Sequence, residues 1–356
     1  MSRTKRTTNK NNIVILCEGT ETEIYYFKEL RDYVKANSPD RFSDIKIIPI
    51  PLDDTPISPR NSQRKSRQLQ PSSAAMRYYI KEELDSARYK QYKAQPTRYV
   101  REVQLFMEED GYVEGWAVFD KDTFTHHAEA FALATSITGL HIAFSSYCFE
   151  EWFLTHFERN PYPFMTSVCK DGSGKDKGCG TEVVDDCHGH ICIGGRLREY
   201  KYIPDYAKNK SSIFTKYTLP RLEQCYVNAA WMRTLLSSSA IYERNPYTDV
   251  DILVKRLLGD DRIHHWHELD ESFPFCGTEV CIHRMDKHIV VRNKGCLSVI
   301  LNNYNCFLCD FELQNQRRLG FGMIKAGESI KTESRFENEN LLCLEDGYNI
   351  HYISLN

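Results

Sequence analysis

Four consecutive apolar residues, Ile13-Val-Ile-Leu16, run straight into Cys17-Glu18-Gly19 and then into a helical pattern. A short run that is apolar at every position predicts a strand buried on both faces, as in a parallel sheet. Gly19 permits a sharp turn after it. Thr20 and Glu23 have the Thr-x-x-Glu spacing of a capping box, and Ile24, Phe27, Leu30 and Val34 predict the buried face of a helix. A strand–acid–glycine–helix unit delivers Glu18 to the carboxyl edge of a sheet, where open α/β folds place their chemistry.

The same alternation continues. Residues 45–50 predict a second strand, and residues 74–108 two helical pieces broken near Pro96. Residues 115–122 supply a third strand ending in Asp120 and Asp122, 127–138 a helix, 141–144 a fourth strand, and 149–157 a helix with Glu150 and Glu151 in its first turn. Strand and helix in turn argue for right-handed crossovers and a largely parallel sheet with flanking helices. Residues 165–200 interrupt the pattern with seven Gly and four Cys. Helices are expected over 220–243 and 250–258, the second stopped by Gly259. Beyond residue 275 the period shortens, predicting seven or eight strands of a C-terminal all-β domain. The divisions are a basic tail at 1–10, an α/β domain at 11–160, an insert with a helical extension at 161–270, and the β domain at 271–356.

Three of the predicted strand ends carry acids: Glu18, Asp120 with Asp122, and Glu150. In a parallel sheet these ends share one edge, and Asp120 and Asp122, two apart in extended backbone, point to one side. Carboxylates gathered with no matching basic residue repel one another unless cations neutralise them. Carboxylate oxygens with water and phosphate are the ligands Mg²⁺ and Mn²⁺ prefer, and such ions serve phosphodiester cleavage. Each acid also has a plain structural role available: Glu23 completes the capping box, and Glu150 and Glu151 favour a helix N-terminus.

Three blocks resemble the signature blocks of the RloB-like family: Cys17-Glu-Gly-Thr-Glu-Thr-Glu-Ile-Tyr-Tyr-Phe27, Val118-Phe-Asp-Lys-Asp122 and Ala143-Phe-Ser-Ser-Tyr-Cys-Phe-Glu-Glu-Trp-Phe-Leu-Thr-His-Phe157. Asn245 to Val254 resembles that family's C-terminal helix, while Ser145-Ser146-Tyr147 replaces its usual Ser-Asn-Pro. The resemblance implies a TOPRIM-like fold with Glu18, Asp120 and Asp122 as Mg²⁺ (or Mn²⁺) ligands, Glu150 as a further one, and nuclease activity. It also implies an accessory toxin of bacterial antiviral defence, encoded beside an SMC/ABC-type ATPase. RNA, in particular tRNA, is favoured over DNA as substrate by analogy with related toxins.

The net charge is −3, so nucleic acid would be met by local basic patches rather than by the whole surface. Arg60, Arg64, Lys65 and Arg67, in a long Pro- and Ser-rich stretch, and Lys121 between the two aspartates are the candidate backbone contacts. No apolar run reaches the length of a membrane helix, and the first ten residues lack a signal-peptide core, so the cytoplasm is expected. Oligomerisation stays open. Most of the thirteen cysteines read as reduced core thiols. Cys169, Cys179, Cys187 and Cys192 with His188 and His190 could hold zinc, yet only Cys187, His190 and Cys192 are closely spaced, which favours a metal-free insert. His156 reads as a surface position or a phosphate contact, and His264, His265 and His267 as surface histidines or a linker patch, with no role assigned. The absence of Gly-x-Ser-x-Gly and of a Walker motif disfavours a serine hydrolase and an ATPase. The remaining alternative is a non-catalytic module that binds a partner ATPase.

Overall fold

The computed structural model describes residues 11–19, 21–48, 96–122, 125–164, 168–170, 176–178, 192–208, 210–332 and 339–356; for 168–170 and 176–178 it describes no side chains. The chain divides into two compact units, Met1–Arg221 with Leu236–Gly259, and Leu222–Leu235 with Asp260–Asn356.

The first unit is built on a five-stranded sheet. Strands β1 (Asn12–Cys17), β2 (Asp44–Ile48), β3 (Glu114–Asp120) and β4 (Leu140–Ser146) are parallel in the order 2-1-3-4, and β5 (Tyr247–Thr248) closes the edge antiparallel to β4. Burial of Ile13 to Cys17 without alternation confirms a strand covered on both faces. Val14, Leu16, Ala117 and Phe119 form one face with helices α2 (Pro96–Asp110) and α3 (His127–Thr135). Helix α1 (Thr22–Asn37) packs with α7 (Val250–Leu258). Tyr26 and Phe27 of α1 interlock with Phe149 and Phe153 at ring separations of 5.4 to 5.9 Å, Trp152 lies 6.3 Å from Tyr26, and all five rings are buried. The last three belong to helix α4 (Glu150–Thr155) and its N-cap, so the core anchors the segment that carries Glu150.

The second of the two helical pieces expected over 74–108 begins at Pro96, whose missing N–H falls where no intrahelical partner exists, and runs to Asp110; the first piece lies outside the described residues. The helix expected over 220–243 ends at Leu235, ahead of Ser237-Ser-Ser239, whose hydroxyls compete for backbone groups, and a separate short turn follows at Ile241–Glu243. Helix α7 keeps its expected ends, with Gly259 left-handed at φ 79°, and the Asp249 carboxylate before it accepts from the Phe144 N–H at 2.6 Å, tying the helix start to β4.

The second unit is all-β apart from helix α6 (Leu222–Leu235). Its strands begin at β6 (Ile263–His267), earlier than the shortened period suggests, because three histidines disguise an in–out alternation. Among the described residues nine further strands start at or after Thr278, against the seven or eight expected. A five-stranded and a four-stranded sheet enclose Val280, Ile282, Leu308, Leu342 and Leu344. His265 and His267 are therefore part of a sheet face, stacked with His351 of β7 (Asn349–Ser354) at ring separations of 4.9 and 5.3 Å, and His264 is buried against the Tyr352 hydroxyl.

His267 Nε2 and His351 Nδ1 lie 3.0 Å apart, so one ring donates and the other must accept through an unprotonated nitrogen. Burial, reinforced by the neighbouring histidines, pushes His267 down to about 3 and His351 to about 4 from an ordinary 6.5. The unfolded chain thus takes up protons on falling below about pH 6.5 that the native unit refuses, and stability is lost over that range. The second unit should unfold at lower urea at about pH 5.5 than at about pH 7.5, and His267→Phe should flatten the dependence. An unchanged slope in the variant would show that the stack is not its source.

Candidate functional site

The carboxyl ends of β1, β3 and β4 meet as the alternation requires. Glu18 follows β1, held by its own N–H to the Val118 carbonyl at 2.9 Å. Its Oε2 accepts from the Asp120 N–H at 3.0 Å, so the acid after one strand is fastened to the backbone of the next. The Tyr99 hydroxyl of α2 bonds the same carboxylate. Gly19 matters for space rather than for a left-handed turn: a Cβ there would fall inside the Glu23 carboxylate.

Asp120 ends β3. The Phe149 N–H donates to its carboxylate, while its Oδ1 is buried without a hydrogen-bond partner. Asp122 does not continue the strand. Its φ of 36° is left-handed, and its N–H donates to the Tyr147 carbonyl at 3.2 Å. The two aspartates therefore do not share a side through extended backbone; Asp122 reaches the site by a turn, close enough for its charge to act on Glu18. Glu150 is buried at the start of α4, where its Oε1 accepts the Tyr206 hydroxyl at 2.5 Å. Glu151, one residue on, goes elsewhere: it is fully buried near Glu158 and Arg196.

Electrostatics binds these residues into one cluster. Burial, then the charges of Glu23 and Asp122, raises Glu18 to about 8 against the Asp120 hydrogen bond. Burial and the charges of Glu23, Glu18 and Glu150 push Asp120 well above the carboxylate range. Glu23 is raised too, chiefly by burial, and is only 5% exposed. It is thus a member of the cluster and not only a helix-capping residue: α1 starts at Thr22 with Glu21 at its N-cap, and Thr20 lies outside the described residues. The local signal for this was its distance of five residues from Glu18 across a glycine turn, which brings the helix start back over the strand end.

A basic residue also faces the acids, against expectation. Lys208 lies within the field of Glu150, Glu23 and Asp120. Lys121 turns the other way, its Nζ donating to the Glu243 carbonyl at 2.9 Å. Arg60, Arg64, Lys65 and Arg67 are outside the described residues, as are Cys179, Cys187, His188 and His190. Cys192 is buried and accepts the Gly195 N–H. His156 is not a surface position: it is 1% exposed, its Nδ1 donates to the Trp152 carbonyl, and burial lowers its pKa to about 3.

The donors gathered here are hard oxygens, and a buried carboxylate oxygen lacks a partner, so in chemistry and charge they suit a small divalent cation. Among the described residues no three His, Cys, Asp or Glu side chains yet converge on one point, and closing on an ion would require side-chain rotation.

An open α/β domain with buried acids at its strand ends is the class this geometry defines. A family model described as RloB-like protein matches residues 13–257, and the chain belongs to the RloB-like family. No curated protein and no solved structure matches it.

The raised Glu18 pKa has a stability consequence. The native state keeps a proton that the unfolded chain releases above its ordinary 4.5, so stability declines as pH climbs toward about 8. In EDTA, Glu18→Gln should gain in Tm on the unchanged protein as pH rises from about 5 to about 8. A gap that stays constant across that range would mean Glu18 is not held protonated.

Proposed function

We propose that this protein is a divalent-cation-dependent nuclease of TOPRIM type. The observation that carries the reading is the linkage of Glu18 to the Asp120 amide, with an unpartnered Asp120 oxygen and the Glu23, Asp122 and Glu150 charges around it. Buried carboxylates of one sign are costly unless something of opposite charge makes use of them. Glu18, Asp120 and Asp122 would hold Mg²⁺ or Mn²⁺, with Glu150 as a further ligand. The ion, when bound, would supply an activated water and offset charge on the phosphate oxygens. Tyr206 keeps Glu150 in one orientation, Tyr99 and the Asp120 N–H keep Glu18 in another, and the Tyr26, Phe149 and Phe153 rings keep water from the far side of α4.

The substrate in this reading is nucleic acid, RNA such as tRNA before DNA. The setting is a toxin of bacterial antiviral defence, in the cytoplasm, working with an SMC/ABC-type ATPase. Among the described residues no helix is long and apolar enough to cross a membrane. Lys121 would have to leave the Glu243 carbonyl to meet a phosphate. Contacts from Arg60, Arg64, Lys65 and Arg67 are part of the same proposal.

A non-catalytic module is the second reading. Ile300 and Met323, paired across two strands of the second unit, are 55% and 60% exposed, as a surface for a partner protein would be. Cleavage of tRNA, total RNA and plasmid with Mg²⁺ or Mn²⁺, alone and with the neighbouring ATPase, separates the two. Asp120→Ala should lower cleavage at least about a hundredfold with the fold intact by circular dichroism. Substrates left whole under every condition would favour the module, and cleavage that survives Asp120→Ala would place the site elsewhere.

A further inference from the structure

Residues 196–221 hold seven Lys and Arg against two acids, with five aromatic residues among them, in a chain whose net charge is −3. Local positive charge interleaved with aromatic rings is the composition that meets a single nucleic-acid strand, the cations following its backbone and the rings its bases.

The fold turns three rings of this region into a column. Tyr200 follows helix α5 (Ile193–Glu199), Tyr202 comes two residues on, and Phe157 lies just past α4. Phe157 and Tyr202 stack with ring centres 4.8 Å apart and planes 8° from parallel, and Tyr202 and Tyr200 stack at 5.8 Å and 23°. Rings of the nearby core behave differently: Tyr26 with Phe149, Phe149 with Phe153, and Phe153 with Tyr206 meet edge to face at 66° to 88°. Only a parallel stack can be extended by another flat ring system.

Polar contacts hold the column in place. The Tyr202 hydroxyl donates to Glu158 at 2.9 Å, and Arg196 pairs with the same carboxylate at 2.7 Å while its guanidinium lies 5.1 Å over the Tyr200 ring. Arg221, which is exposed, lies 4.9 Å over Phe157. Phe157 and Tyr202 are half-buried, whereas Tyr200 is 47% exposed, so the column ends in a ring that solvent reaches. It also stands beside the acid edge. Tyr206, four residues after Tyr202, donates to Glu150, so at most about 14 Å of chain separates platform from carboxylate.

We propose that the Phe157, Tyr202 and Tyr200 column is a stacking platform for an unpaired base, with Arg221 meeting the adjoining phosphate, so that nucleic acid reaches the acid edge as a single strand. Naming nucleic acid as the ligand rests on the nuclease reading of that edge. Every base offers a flat π-face, which makes stacking tolerant of sequence, whereas a base inside a duplex has both faces covered by its neighbours. The platform therefore selects loops, bulges and unpaired ends.

Fluorescence anisotropy of the full chain in EDTA, where nothing is cut, tests this with a labelled oligouridylate of about twelve nucleotides and with the same strand annealed to oligoadenylate. The single strand should bind more tightly than the duplex. Tyr200→Ala should weaken single-strand binding about tenfold and leave the duplex unaffected, while Tyr200→Phe, which keeps the ring, should bind as the unchanged protein does. Arg221→Gln should lower the slope of log affinity against log salt for the single strand by about 0.7. Circular dichroism checks folding, and Tyr200→Leu replaces Tyr200→Ala if the latter does not fold. Duplex bound as tightly as the single strand, no binding of either, or undiminished binding by Tyr200→Ala overturns the platform. Single strands bound in the expected pattern but left whole with Mg²⁺ or Mn²⁺ would keep the platform and sink the nuclease reading. Cleavage by a protein whose binding ignores Tyr200 would do the reverse.

Discussion

The hydrogen bond from the Asp120 N–H to the Glu18 carboxylate joins the ends of two neighbouring strands, and the first unit is arranged around it. For that bond to form, β1 and β3 must be paired in register, as Cys17 opposite Val118 shows. The backbone must then turn at Gly19, where a Cβ would meet the Glu23 carboxylate. The aromatic block of Tyr26, Phe27, Phe149 and Phe153 provides the rigidity, since it ties the start of α1 to the start of α4 and so sets Glu23 and Glu150 around the same point. Misplacing any one of these elements would turn a shared site into scattered acids.

The arrangement is costly on its own terms. Burying carboxylates near one another raises their affinity for protons, and both Glu18 and Asp120 show it. A protein can meet that cost with a proton, with a side-chain cation or with a bound metal. Hard oxygen donors suit the third. The three are exchangeable currencies of charge at one place, which links the electrostatics of the resting protein to the chemistry proposed for it.

Much of the first unit was legible in the sequence, because apolar runs, a glycine and a helical face leave few alternatives for residues 13–34, 114–120 and 140–157. That the ends of β1, β3 and β4 lie at one edge followed from parallel topology alone. Other features were not legible, for physical reasons. Lys208 comes from a segment 190 residues beyond Glu18 with no periodicity to place it. Asp122 leaves the strand through a left-handed residue that nothing local announces. Glu23 satisfied a capping pattern so well that its burial among the acids was hidden. In the second unit the histidines of β6 mimic a polar linker, although the alternation of His264 and Trp266 inward is that of a strand.

The account stands or falls on whether the strand-end acids gather around a divalent ion. Crystals grown with Mn²⁺ and measured at its absorption edge would answer this through anomalous scattering. The account predicts a peak at about 2.0–2.3 Å from carboxylate oxygens of Glu18 and Asp120. A Mn²⁺ peak bound elsewhere, or none at this edge of the sheet, would contradict it.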